Sequence, residues 1–162
     1  MKTLHLLRHA KSDWENEALP DHERPLAPRG IKAARRLAEH FEKAPLEVDL
    51  VLCSTARRTR ETLELILPVL GNVEVKFEAE LYGAGADELE LRLRRLPSKV
   101  RAVLVVGHNP GLEELASLLL GRNGPGHFPT GALASLRFGA DDWRSIRAGA
   151  AEAIGFVTPK EI

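Results

Sequence analysis

Apolar positions along this chain come in short blocks separated by polar, Gly- and Pro-bearing stretches, and the blocks alternate between strand and helix spacing. Thr3 to Leu7 is apolar or β-branched at every position except His5, which predicts a buried strand ending at the pair Arg8-His9. Lys11 to Pro28 is polar and irregular, long enough to be functional, and is expected to drape over a site at that strand end. From Gly30, Ile31, Ala34, Leu37, Ala38 and Phe41 recur at helical spacing, with Pro45 beyond as a stop. Asp49 to Cys53 predicts a second buried strand, Ser54-Thr55 the cap of a helix with Leu63, Ile66, Leu67 and Leu70 inward.

Val73 to Phe77 alternates apolar and charged side chains, as a strand with one exposed face does, and Asp87 opens a helix with Leu89, Leu93 and Leu96 inward. Ala102 to Val106 is the most strand-like run of the chain, and the loop Gly107-His108-Asn109-Pro110-Gly111 leads from it into a helix carrying Leu112, Leu115 and Leu119. Gly121 to Gly131 reads as a loop that lacks the Lys-Ser/Thr ending of a P-loop. Ala134 to Phe138 and Ala153 to Val157 are two closing strands around a turn at Ala140-Asp141-Asp142. This order implies an α/β fold, a three-layer sandwich with a mostly parallel central sheet, helices on both faces and at least one late antiparallel strand.

Size and charge narrow the possibilities. A chain of 162 residues is expected to form a single domain spanning residues 1–162. Its 23 basic residues balance 23 acidic ones, so no nucleic-acid or membrane partner is expected and any use of arginine is local. The one cysteine, Cys53, falls inside an apolar run and reads as a buried structural thiol. No run approaches the length of a membrane span, and the first strand starts too early for a signal peptide, which predicts a cytoplasmic protein.

Ligands of open α/β sheets sit beyond the carboxyl ends of the strands. Three such ends carry polar groups: Arg8-His9, Ser54 with Arg57, Arg58 and Arg60, and His108-Asn109. Brought together, two imidazoles and at least two guanidiniums suit a dianion, because an arginine fork matches phosphate oxygens and keeps its charge. A histidine among those cations is pushed toward its neutral, nucleophilic form, which points to phosphoryl transfer through a phosphohistidine. Helical spacing cannot aim Arg57, Arg58 and Arg60 into one pocket together. His5 and His9 stand four apart on a strand with no cysteine or carboxylate to complete a metal set, so neither metal nor cofactor is expected. His5, His22, His40 and His127 read as structural or surface residues.

The opening Leu6-Leu7-Arg8-His9-Ala10-Lys11-Ser12, the segment Ser54-x-x-x-Arg58-x-x-x-Thr62 and the loop Gly107-His108-Asn109-Pro110 resemble the histidine phosphatase superfamily, which includes cofactor-dependent phosphoglycerate mutases. Lys11-Ser12-Asp13-Trp14, Arg24-Pro25-Leu26 before Gly30, and Pro129-Thr130-Gly131-Ala132 resemble its small phosphohistidine phosphatase (SixA-type) branch. The resemblance implies a phosphoglycerate mutase-like fold, with His9 as the phosphorylated nucleophile and Arg8, Arg58 and His108 holding the phosphoryl group. Ser12 and Asn109, in the same loops, are the expected substrate-binding residues.

Phytase-like members have an aspartate acid directly after the second histidine, where this chain has Asn109. Mutase-like members use a glutamate between the second segment and the second histidine, and Glu80 is the nearest equivalent. A site poor in acids suits a P–N bond better than a P–O bond, since an imidazole leaves readily while an alkoxide needs a proton. The expected substrate is therefore phosphohistidine on a partner protein. A small phosphate ester, or phosphate binding without turnover, remains the alternative.

Overall fold

The computed structural model describes residues 1–121 and 124–162. Arg122 and Asn123, within the loop expected over residues 121–131, lie outside the described residues. In chain order the elements are β1 (Lys2–Arg8), α1 (Pro28–Lys43), β2 (Leu50–Ser54), α2 (Arg57–Ile66), β3 (Glu74–Glu78), α3 (Ala86–Arg94), β4 (Ala102–Gly107), α4 (Gly111–Leu120), β5 (Leu133–Phe138) and β6 (Ala151–Val157). Six strands form one sheet in the order β3-β2-β4-β1-β5-β6. The β3-β2, β2-β4 and β4-β1 pairings are parallel, while β5 and β6 run antiparallel to their neighbours. The sheet is mixed, with its parallel part on the β3 side and its antiparallel part on the β6 side.

Successive strand side chains point to opposite faces, and each face has its own helix layer. Val103 and Val105 of β4, with Leu4, Leu6, Leu50 and Leu52, pack against Leu89 and Leu93 of α3 and Leu112, Leu115 and Leu119 of α4. On the other face Leu104 and Val106, with Leu7, Val51 and Cys53, meet Leu37 and Phe41 of α1 and Leu63 and Ile66 of α2. Full burial of one such valine or leucine contributes about 1.5–3 kcal/mol, which is why the central strands tolerate apolar residues on both sides. Cys53 is inert here, its thiol fully buried and pushed up to about 12 by desolvation. His5 is also buried, donating from Nε2 to the Glu47 carbonyl (3.1 Å) and paired through Nδ1 with Ser135 Oγ (2.7 Å).

Two expectations need correction. Helix α2 begins at Arg57 with Ala56 at its cap position and no side-chain cap bond, so Ser54-Thr55 do not cap it. Ser54 closes β2 instead, and its hydroxyl accepts the Ala56 N–H at 3.2 Å. The β5-β6 connection is longer than a turn at Ala140 to Asp142: a short 3-10 turn, Trp143–Ser145, buries Trp143, whose indole donates to the Val100 carbonyl at 2.8 Å.

Register places the site. Arg8 at the end of β1 lies beside Gly107 at the end of β4, and Cys53 of β2 beside Val106 of β4, so all three carboxyl ends open onto one edge. Close backbone approaches fix the loops there. A Cβ on Gly30 would lie 2.1 Å from the Lys11 carbonyl oxygen, so only glycine lets α1 start against the segment after β1. Gly131, at φ +77°, donates its N–H to the carbonyls of Arg8 (3.1 Å) and His9 (3.0 Å).

Candidate active site

At that edge a cleft of about 280 Å³ is lined by Arg8, His9, Lys11, Ser12, Trp14, Asp21, Arg24, Arg58, His108, Asn109 and Thr130. The His9 and His108 rings lie 5.3 Å apart between centroids. His9 is buried, and its Nδ1–H donates to the Ala10 carbonyl at 2.7 Å. That bond fixes the tautomer and leaves the lone pair on Nε2. Burial, with smaller contributions from His108, Arg58 and Arg8, pushes His9 down to about 3, so the ring is neutral at physiological pH.

His108 Nε2 meets Ser54 Oγ at 2.8 Å. With the Ser54 hydroxyl as donor to Nε2, neutral His108 carries its proton on Nδ1. Burial and then Arg58 push His108 down to about 4. Among the described residues the buried side-chain nitrogens without a hydrogen-bond partner are Arg8 Nε, Arg58 Nε and His108 Nδ1, all from residues that line this cleft. Buried donors are normally satisfied, so their concentration around one cleft fits an oxyanion.

Spacing on α2 explains the second segment. Arg58 and Thr62, one helical turn apart, share a face and are buried, whereas Arg57 and Arg60 point to solvent. Thr62 Oγ1 accepts the Ala10 N–H at 3.0 Å, tying the backbone beside His9 to the helix that carries Arg58. Ser54, Arg58 and Thr62 thus reach three different parts of one site.

The model of the histidine phosphatase superfamily (branch 1) matches residues 4–96. An uncharacterised protein of Mycobacterium tuberculosis strain H37Rv, Rv1276c, is 37% identical over 95% of this chain and 100% of its own length. The chain belongs to the histidine phosphatase superfamily. Among solved structures it is similar to a candidate phosphohistidine phosphatase SixA of Nakamurella multipartitia, at 32% identity and TM-score 0.81 over 98% of this chain and 96% of that one. It is also similar to the protein histidine phosphatase SixA complexed with tungstate, at 25% identity and TM-score 0.82 over 98% and 97% of the two chains.

Within this cleft, not every expected residue has the expected surroundings. Ser12 lines the cleft and receives Arg24 Nη1 at 3.1 Å. Asn109 also lines it, but both ends of its amide are committed: Nδ2 donates to the Phe128 carbonyl (2.8 Å), and Oδ1 accepts the Glu113 N–H (3.2 Å) in the first turn of α4. Glu80 is absent from the cleft. It is exposed on the 3-10 turn Ala79–Leu81 and lines a separate, larger cavity of about 1490 Å³ beside Phe77, Leu91 and Arg95.

The carboxylate that does line the cleft is Asp21, which the pattern of the sequence did not single out. Asp21 Oδ1 accepts from Arg24 Nε (3.0 Å) and Oδ2 from Arg58 Nη2 (3.1 Å) and the Tyr82 hydroxyl, while its carbonyl accepts Arg58 Nη1 (2.8 Å). The Tyr82 bond first, and then both arginines, hold this carboxyl far below the usual carboxylate range. His22 packs T-shaped on Tyr82 with ring centroids 4.9 Å apart, and its Nε2 pairs with Thr55 Oγ1 at 2.9 Å. Trp14, 67% exposed, stacks on the Arg24 guanidinium at 3.3 Å. The segment between β1 and α1 is thus pinned over the cleft, as the Ser12-Leu26 bridge also shows.

Proposed function

We propose that this protein is a phosphatase that takes a phosphoryl group onto His9 and passes it to water, with phosphohistidine on a partner protein as its substrate. The observation that carries this reading is the His9 ring itself, neutral and with Nδ1 tied to the Ala10 carbonyl, so that Nε2 holds the attacking pair inside a cationic cleft. Arg8 and Arg58 grip the phosphoryl oxygens, and His108 donates from Nδ1 as charge develops on them. A relative of this chain that holds tungstate, a tetrahedral oxyanion, supports that use of the cleft.

In the first step His9 Nε2 bonds to phosphorus as the P–N bond of the substrate breaks. The substrate imidazole departs neutral if its other nitrogen already carries a proton, which solvent supplies because an ordinary imidazole titrates near ~6.5. In the second step water bonds to phosphorus and the Nε2–P bond breaks. His9 leaves neutral as well, since its Nδ1 keeps its hydrogen on Ala10 throughout. Neither step asks for a strong acid in the cleft. Asp21, the carboxylate among the described residues lining it, stays ionised and is unfit to protonate an alkoxide.

The test is hydrolysis of a phosphohistidine peptide beside sugar and nucleotide monophosphates, by the wild type and His9→Ala. The expected result is preference for the peptide and loss of turnover in the variant with phosphate binding retained. Far faster hydrolysis of the monophosphates overturns the substrate, and turnover by His9→Ala overturns the mechanism.

A further inference from the structure

We infer that Asp21 sets the charge preference of the cleft: its carboxylate, fixed between Arg24, Arg58 and Tyr82, favours phosphoryl compounds with a cationic leaving group over those with an anionic one. The inference deepens the reading above and rests on it for the identity of the natural leaving group, an imidazole protonated on its far nitrogen.

A fixed negative charge is an odd component for a cleft that binds a dianion, because by itself it weakens phosphate binding. Its position is nonetheless specified in detail. Both carboxylate oxygens receive donors from separate parts of the chain, Arg24 on one side and Arg58 with Tyr82 on the other. The same residue takes both terminal nitrogens of Arg58, one on its carbonyl and one on its carboxylate, and leaves Nε as the Arg58 donor without a partner among the described residues. A phosphoryl group held through Nε therefore leaves the carboxylate in place. With its side chain about half exposed, Asp21 then faces whatever the phosphoryl group is attached to.

Its field also reaches the floor of the cleft. Asp21 raises the proton affinity of His108 against the opposing pull of Arg58. Without Asp21 the cleft would hold Arg8, Arg24, Arg58 and Lys11 with no carboxylate among the described lining residues, and would attract any anion. With it, the cations that grip phosphate are retained while an extra carboxylate on the substrate is disfavoured and a positive leaving group gains a partner.

Phosphoethanolamine and phosphoglycolate test this, being alike in length and opposite in the charge carried beyond the phosphate. Their affinities are measured by titration calorimetry on the full chain as wild type, Asp21→Asn and Asp21→Glu. Loss of one unit charge at this range shifts the affinity ratio toward phosphoglycolate by about tenfold in Asp21→Asn, and Asp21→Glu returns it toward the wild type. A purely structural role for Asp21 changes both affinities together and leaves the ratio alone. A ratio unchanged in Asp21→Asn, one that moves the other way, or failure of phosphoethanolamine to bind the wild type overturns the inference. Neither compound has to be turned over. A shifted ratio without hydrolysis of phosphohistidine peptides sinks the substrate reading and spares this one, and the reverse pair of results does the opposite.

Discussion

The floor and the rim of the cleft are built in different ways. Arg8, His9 and His108 stand at or just beyond the ends of β1 and β4, with Arg58 in the first turn of α2, elements anchored in the core by buried side chains such as Leu6, Leu7, Val105, Val106, Leu63 and Ile66. Asp21, Arg24 and Trp14 stand on the segment between β1 and α1, held by side-chain bonds, a guanidinium stacked on an indole and one isolated bridge. The floor is a cluster of cations and neutral imidazoles, and the rim carries the carboxylate. On the proposed reading, the groups that need fixed geometry stand on the packed elements, and selection among substrates falls to a loop that contacts alone define.

The floor is the more sensitive part. Arg58→Lys keeps the charge but loses the planar fork that reaches Asp21 and the cleft together, and kcat is expected to fall by about 10²-fold, read by steady-state kinetics. A lysine variant within a factor of a few of wild type would reduce Arg58 to a point charge.

Proton linkage sharpens the same contrast. Burial holds His5, His9 and His108 down to about 4, 3 and 4, whereas each titrates near ~6.5 in the unfolded chain. Between those values the unfolded chain binds more protons, so stability rises with pH. It is fully present above about 6.5 and is lost as the pH falls through about 4. Thermal melts from neutral to mildly acidic pH are expected to show a Tm that falls steadily below pH ~6.5, and a flat Tm contradicts the buried, neutral state of these three histidines, two of them in the floor.

Breaking the rim does less. Arg24→Ala removes partners from Asp21, Ser12 and Trp14 together, and is expected to raise KM by roughly threefold to tenfold while kcat stays near wild type. A fall in kcat with KM unchanged would move Arg24 from the rim to the floor. Glu80→Gln lies outside both regions, and activity within twofold of wild type is expected in the same assay, roughly the scatter of a neutral surface change.

Legibility in the sequence follows the same division. The run Ala102 to Val106 and the leucine spacing of α3 and α4 are local signals, so the strands, the helix layers and the convergence of their loops could be read from pattern alone. The floor residues stand next to those runs. Asp21 gives no such signal: it is one charge among many in an irregular segment, and its partners Arg58 and Tyr82 lie 37 and 61 residues away. Ser54 has the composition of a helix cap, and only the third dimension shows its hydroxyl turned to His108. Glu80 matched by order along the chain, which says nothing about the cavity a side chain faces.

The central claim is that His9 Nε2 carries the phosphoryl group between substrate and water. Rapid mixing with a phosphohistidine peptide, quenching in base and peptide mapping by mass spectrometry read this directly. The account predicts an acid-labile phosphoryl group on His9 that forms and decays at the rate of turnover, and peptide hydrolysis with no phosphorylated His9 at any time point would contradict it.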